Sequence, residues 1–446
     1  MQLVGFSIKT KGLRNFIRRL RTVFTRFDFS GARARETLMA ILTTAQSHGA
    51  APTFFVPAVV LRRHPKMLAG IARAGAEMGV HGYVHNDYRL IPKQTQFEQT
   101  WAAMRAFRSA GITFSGFRNP YLGWSPASVA VYDELRFSYD SNEAIIHDVI
   151  DPKLLPPTIR ASYAKSLALF QALQPSAYAL RPHTEGRLVR IPTSIPDDEM
   201  LFDRLRITNT DRLATIWCEI MRRVYALGGI YALNVHPERG KLCQPAYNAV
   251  LVAAKAMPQP MWLTRLDNVA DWWRERAQAR LDIRPAGAGR WQVDVSGPDR
   301  LTVLVRHLDS PGTEATPWHG HERRVLARSF VVAATLAPMI AVSARTPCDV
   351  LELLTEQGFP YRVVDAQEGT RFSLWLDLPD GLGDTREKRM AHGGALTDTL
   401  EALESPLVRI GIWPNGARAA CSLTGDIDSV TIQDFFHRIL EVRRTQ

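Results

Sequence analysis

Gly79-Val80-His81-Gly82-Tyr83-Val84-His85-Asn86-Asp87-Tyr88 holds two histidines four residues apart. On a helical turn, positions i and i+4 lie on one face, one above the other. Two imidazoles so placed are two of the three protein ligands of an open catalytic zinc site. Two histidines stacked at a loop or helix start, with no ligand role, satisfy the same spacing. What decides between these readings is what else the chain delivers to that place. Met78-Gly79-Val80 reads as a short strand that presents the pair at its C-terminal end. No third ligand is close in sequence, and the strongest candidate lies at the far end of the chain.

Working outward, apolar strand-like runs alternate with helical patterns. Residues 31–48 read as a helix ending at Gly49, and Pro52-Thr53-Phe54-Phe55-Val56-Pro57 as a strand bounded by prolines. Helices are expected at 65–76, 96–110, 127–136, 210–227, 245–256 and 266–279. Strands are expected near 113–117, 137–140, 187–191, 229–235 and 261–263. Strict alternation of strand and helix argues for parallel strands covered by helices, and in barrels of that kind the chemistry sits at the C-terminal strand ends. His81, Arg118, Asp140 and His236 all fall at such ends.

The pattern changes near residue 281. Trp291–Val295 and Leu301–Val305 alternate with period two, and Arg324–Val342 does so more loosely, which predicts a small antiparallel β unit. A helix over 348–358 and strands at 361–364 and 373–378 follow. The polar, glycine-bearing stretch 380–404 reads as a linker, partly helical at its end. Ala419-Ala420-Cys421-Ser422-Leu423-Thr424 then forms a buried-looking strand that ends in Gly425-Asp426-Ile427-Asp428-Ser429, and a helix over 431–442 closes the chain. Asp428 or Ser429 as helix N-cap would explain one polar residue there, but not two carboxylates.

At 446 residues the chain exceeds one ordinary domain. It has no run of eighteen apolar residues and no basic-then-apolar leader pattern, so we expect a cytoplasmic protein. Cys218, Cys243, Cys348 and Cys421 are scattered and read as free thiols of a reducing compartment. The net charge is +11, part of it in a basic amphipathic stretch over residues 9–26. A helix packed on its own domain with a solvated basic face accounts for that stretch, and so does peripheral contact with an anionic membrane. No nucleic-acid recognition module is present, so nucleic acid is not an expected partner.

Four short motifs together resemble the polysaccharide deacetylase family, the NodB-homology or carbohydrate esterase 4 group. They are Asp426-Ile427-Asp428, His81-Gly82-Tyr83-Val84-His85, Arg118-Asn119-Pro120-Tyr121 and Leu233-Asn234-Val235-His236-Pro237. Thr53-Phe54-Phe55-Val56 is also typical. The resemblance covers roughly residues 31–280 and 405–442. It implies a distorted (β/α) barrel from residues 1–280 plus 405–446, with a β-rich insert at 281–379 and the linker at 380–404. In ordinary members the aspartate pair comes first, whereas here it comes last, so we expect a circular permutation. The rival is that 405–446 begins a separate domain and that Asp28 serves the site.

The resemblance also implies roles. Asp428, His81 and His85 would hold one divalent ion, zinc by default, with cobalt, nickel or iron as alternatives. Asp426 would be the general base and His236 the general acid. Arg118 would hold Asp426 through a bidentate ion pair, and the Tyr121 backbone N–H would stabilise the oxyanion. Asp197 or Asp198, or alternatively Asp140, would orient His236. Tyr121 and Trp124 suit a sugar ring as stacking platforms, and Trp124 equally suits the core. The expected activity is removal of acetyl groups from an N-acetylated, exopolysaccharide-type or lipid-linked glycan. An amidase acting on a small cyclic amide, or a non-catalytic glycan-binding relative, fits the same motifs.

Overall fold

The computed structural model describes residues 23–445. The basic stretch 9–26 therefore lies largely outside the described residues, apart from a helical turn at 23–26. Among the described residues no helix is long and apolar enough to cross a membrane. All four cysteines are free.

The first ten strands are β1 (Thr53–Val56), β2 (Glu77–Val80), β3 (Gly116–Phe117), β4 (Tyr139–Asp140), β5 (Ala144–Ile146), β6 (His183–Glu185), β7 (Leu188–Arg190), β8 (Thr193–Ile195), β9 (Ile230–Asn234) and β10 (Met261–Leu263). The insert supplies β11 (Arg280–Pro285), β12 (Arg290–Ser296), β13 (Val303–Arg306), β14 (Ala315–His319), β15 (Glu322–Val325), β16 (Ser329–Ala333), β17 (Ala337–Val342), β18 (Tyr361–Val363), β19 (Phe372–Leu376) and β20 (Leu407–Ile410). The last strand is β21 (Ala419–Asp426).

One sheet, in the order β5-β8-β9-β21-β1-β2-β3-β4-β7-β6, forms a distorted (β/α) barrel, with β10 pairing alongside β21. Its pairings are parallel except for β6 with β7. Every residue of β1, β2, β9 and β21 is buried. That explains why these segments read as continuous apolar runs: helices cover one face of a parallel sheet and barrel side chains fill the other. The covering helices show the matching stripe. Helix Thr210–Leu227 buries Leu213, Ile216, Trp217, Ile220, Met221 and Val224, is N-capped by the Asn209 side chain and stops at left-handed Gly228.

The C-terminal strand is central. Thr53, Phe54 and Phe55 of β1 pair with Thr424, Gly425 and Asp426, while Ile230–Asn234 pair with Ala420–Thr424 on the other side. Gly425 is needed for this fit, because a Cβ there would lie 2.6 Å from the Val235 carbonyl oxygen and 3.1 Å from the Phe54 ring. The helix that follows, Ile432–Thr445, is not capped by Asp428 or Ser429. Thr431 Oγ1 accepts from Asp434 N–H, and the Asp434 carboxylate accepts from Thr431 N–H, a reciprocal box. Val23 and Phe27 pack against Ile432 and Phe435, so the two described ends of the chain meet.

The insert differs from the expected antiparallel unit. The groups β11-β12-β16 and β14-β15-β13-β20 are antiparallel, but β18-β17-β19 is parallel. Helix Cys348–Glu356 provides the crossover that a parallel β17–β18 pair requires. The stretch 380–404, expected as a linker, contains the 16-residue helix Arg386–Glu401, capped by Thr385. Its Leu396 and Leu400 join a core with Ile340, Val350 and Leu354. Gly393 and Gly394 and a polar composition hid this helix, because tertiary packing rather than an apolar stripe holds it. Strand Leu407–Ile410 pairs with Val303–Arg306, so chain after residue 405 still completes the insert's sheet before β21 re-enters the barrel.

Candidate functional site

Strand ends converge on one small cavity of about 230 Å³, lined among others by His81, His85, Tyr121, His236, Asp426 and Asp428. The histidine pair reaches it without a helix. Residues 81–87 form an irregular loop tied to the barrel by Ala58 N–H to the Gly82 carbonyl and Val59 N–H to the Tyr83 carbonyl. Gly82 turns the chain at φ 79°, where a Cβ would also press on the Val84 carbonyl and the Tyr88 ring. The i,i+4 helical argument is therefore corrected: a glycine turn, not a helix face, brings the two rings to a centroid separation of 5.3 Å.

His81 Nδ1 donates to the Arg118 carbonyl at 2.8 Å, which leaves Nε2 with its lone pair. That Nε2 lies 3.4 Å from Asp428 Oδ1, and His85 Nε2 lies 3.2 Å from Asp428 Oδ2. The three potential ligand atoms sit within 4.8 Å of one another. Asp428 Oδ1 and His85 Nδ1 are buried without a hydrogen-bond partner. Burial holds His85 below its usual range, in the neutral ligand form. Burial pushes Asp428 up, but His85, His81 and Arg438 outweigh this and hold it well below the usual carboxylate range. Two imidazoles and one carboxylate, with an orphaned oxygen between them, suit a divalent ion of intermediate hardness.

Asp426 sits one alternation earlier on the strand. Its Oδ1 accepts from Arg118 Nη1 at 3.1 Å and its Oδ2 from Asn234 Nδ2 at 3.0 Å. The expected bidentate Arg118–Asp426 pair is thus corrected to a single contact. The rest of the fully buried guanidinium is spent elsewhere. Nη1 also reaches Asn234 Oδ1 and Thr424 Oγ1, Nε and Nη2 reach Ser141, Nη2 reaches Thr193, and Phe55 lies 4.4 Å beneath. Such a network fixes the Asp426 carboxylate through both oxygens.

His236 follows β9. Its Nδ1 donates to Asp198 Oδ1 at 2.6 Å, and its backbone N–H donates to Asp198 Oδ2 at 2.9 Å. Burial alone would depress His236, but the Asp198 charge raises it well above the usual range. Asp198 itself is lowered, burial being outweighed by His236 and Arg239. Of the three candidate orienting residues, Asp198 is the one hydrogen-bonded to His236. Asp197 accepts from Met200 N–H, and its carboxyl is pushed up to about 7 by burial and by Asp198. Asp140 is paired with Arg190 Nε at 2.7 Å and bonded to Asn142, away from His236.

Tyr121 lies at the cavity edge, 45% exposed, with left-handed φ 60° and its ring edge-on to His85 at 4.6 Å. Trp124 does not line this cavity. It is 7% exposed, with the guanidinium carbons of Arg190 and Arg386 at 4.2 and 5.1 Å from its ring. Asp28 is also absent from it. Its carboxylate accepts from Gly31 N–H, Arg33 N–H and Ser30 Oγ at the start of helix Ala32–Ser47.

Two residues of the site were not foreseen. Asn234 closes β9 two residues before His236, within the motif Leu233–Pro237 that the sequence already singled out. Arg438, on the closing helix, places Nη1 2.7 Å from Asp428 Oδ2, and nothing local marks it.

The imidazoles and carboxylates gather at the C-terminal strand ends, the place where active sites sit in a (β/α) barrel. Residues 19–139 match the family model of polysaccharide deacetylase. No protein of curated function matches the chain. Among solved structures, a protein assigned as a polysaccharide deacetylase in Mycobacterium smegmatis is 19% identical, with TM-score 0.45 over 64% of this chain and 91% of that one. One assigned likewise in Pseudomonas aeruginosa PAO1 is 16% identical, with TM-score 0.41 over 53% and 72%. Puue allantoinase is 19% identical, with TM-score 0.41 over 53% and 72%.

Proposed function

We propose that this chain is a metal-dependent deacetylase of N-acetylated sugars in a glycan. The observation that carries this reading is one cavity that holds an ion-ready His81–His85–Asp428 triad, a second anchored carboxylate and an imidazole bonded to Asp198. A divalent ion held by the triad, zinc by default or cobalt, nickel or iron, would polarise the acetamide carbonyl and acidify a water. Asp426, held by Arg118 and Asn234, takes the proton of the attacking water. The backbone N–H of Tyr121 is offered to the developing oxyanion. His236, kept protonated by Asp198, gives its proton to the departing sugar amine. Tyr121, exposed at the rim, offers a face to the sugar ring.

The strand order supports a circular permutation. The aspartate strand sits next to β1 in the sheet, where an N-terminal first strand would pair, yet it is supplied by the C-terminus. On this reading residues 1–280 and 405–446 contribute the barrel and 281–379 the body of the insert.

The test is acetate release from N-acetylglucosamine oligomers by zinc-loaded protein, together with metal analysis of His85→Ala. We expect acetate from the wild type, and neither stoichiometric metal nor hydrolysis in the variant. Full metal content in His85→Ala would overturn the triad. Opening of a small cyclic amide without any acetate release would replace the glycan by a small-amide substrate.

A further inference from the structure

A second and larger cavity, of about 660 Å³, opens between barrel and insert. Trp124, Glu143, Tyr178 and Arg190 line its barrel side, and Arg386 and Met390 of helix Arg386–Glu401 line the other. It adjoins the metal-ready cavity: Leu122 and Phe170 line the first, and Trp124 and Gln171, one or two residues on, line the second.

Three donors around it have no acceptor: Trp124 Nε1, Arg190 Nη2 and Arg386 Nη2. Trp124 is 7% and Arg190 1% exposed, so water does not readily satisfy them. The other arms of both guanidiniums are engaged. Arg190 Nε meets Asp140 and Nη1 meets Glu185, each at 2.7 Å, and Arg386 Nε meets Glu143 at 3.1 Å. Buried donors without acceptors are rare in native structures and ask for an explanation. An acceptor-bearing ligand is one, and the cavity provides the space.

The charge around the cavity narrows the ligand class. Glu143, Glu185, Glu352 and Glu356 line it along with Arg190 and Arg386. With Asp349, Glu387, Arg89 and Arg389 included, six carboxylates face four guanidiniums, so a multiply charged anion would meet more carboxylates than guanidiniums. A neutral ligand whose groups both donate and accept satisfies both sets. Sugar hydroxyls and acetamides do so, and the volume lies within the range of about 300–1,000 Å³ typical of pockets that enclose whole ligands.

We propose that this cavity is a remote glycan subsite. It would hold neutral sugar residues distant from the one that reacts, and the insert is there to complete it. This rests on the deacetylase reading, so the test must separate the two. Metal-free protein is titrated by calorimetry with the dimer and the tetramer of N-acetylglucosamine, and zinc-loaded protein is assayed for acetate release. Arg386→Met and the exposed-site variant Glu352→Ala are compared with wild type, with thermal melting to verify folding. We expect wild type to bind the tetramer at least tenfold more tightly than the dimer, and both variants to lose that advantage. Equal tetramer binding by wild type and a folded Glu352→Ala or Arg386→Met, with acetate release intact, overturns the subsite and leaves the deacetylase reading standing. Tetramer binding no tighter than dimer binding overturns it too. No binding of either oligomer and no acetate release overturns both readings.

Discussion

If β21 is a structural member of the barrel, a chain stopped after Gly416 cannot fold. The cut keeps β20 on β13 and Trp413 bonded to the Gly228 carbonyl, so the insert is spared. What goes is the strand wedged between β1 and β9. Val235 N–H loses the Thr424 carbonyl and Thr264 N–H loses that of Cys421, while the Gly229 and Phe55 carbonyls lose Ala420 N–H and Ile427 N–H. Leaving these four buried groups unpaired costs about 1–3 kcal/mol each, or ~4–12 kcal/mol together. The lost burial of Ala419, Ala420, Cys421 and Leu423 adds to this. A typical domain is stable by only about 5–15 kcal/mol, so the balance is consumed. The fragment is expected to be insoluble, or to retain far-UV but lose near-UV circular dichroism, with no cooperative urea transition. A 1–416 fragment that unfolds cooperatively with the full chain's midpoint and still binds one metal ion would refute this argument. It would also refute the choice of Asp426 and Asp428 over Asp28.

Three further outcomes can be checked. Gly425→Val should lower the melting temperature by an amount corresponding to about 1–3 kcal/mol of overpacking and weaken metal binding, since the new Cβ falls 2.6 Å from the Val235 carbonyl. Arg438→Met should tighten metal binding about tenfold in a chelator competition, because the Arg438 cation, partly screened by solvent, competes for Asp428 Oδ2; weaker binding would refute this. In kcat/KM against pH, the basic limb should lie well above neutrality, since Asp198 raises His236, and Asp198→Asn should move that limb to lower pH. The sign for stability agrees: a raised His236 contributes fully below about pH 6.5, and its contribution is lost as pH rises through the folded value, so Asp198→Asn should flatten that dependence.

The barrel was legible because its signals are local. Continuous apolar runs such as Thr53–Val56 and Ala419–Thr424 have few uses other than a strand buried on both faces, and helix Thr210–Leu227 carries its own cap, stripe and glycine stop. The insert was less legible for the converse reason. Nothing local in Tyr361–Val363 says that its partner Ile340–Val342 runs parallel, and helix Arg386–Glu401 is kept by contacts with residues remote in sequence.

The same division runs through the site. Placement was readable where a side chain sits at the end of a strand, because the strand end fixes where it points. His81, His236 and Asp426, singled out from spacing and motif, line one pocket, and Arg118 lies behind it against Asp426. It failed where position depends on a loop or on packing between units. Asp197 and Asp198 are adjacent, and only the path after β8 decides that Asp198, not its neighbour, hydrogen-bonds His236. Trp124 follows the Arg118–Tyr121 motif by three residues, yet the turn at left-handed Tyr121 and Leu122 carries it out of the first cavity and under Arg190 and Arg386. Arg438 belongs to a helix whose docking is set by Phe27 and Phe435 at the meeting of the chain's two described ends. A residue placed by such long-range docking leaves no local mark, yet it sits closer to Asp428 than either histidine does. The least legible side chain of the site is therefore the one in tightest contact with its proposed metal ligand.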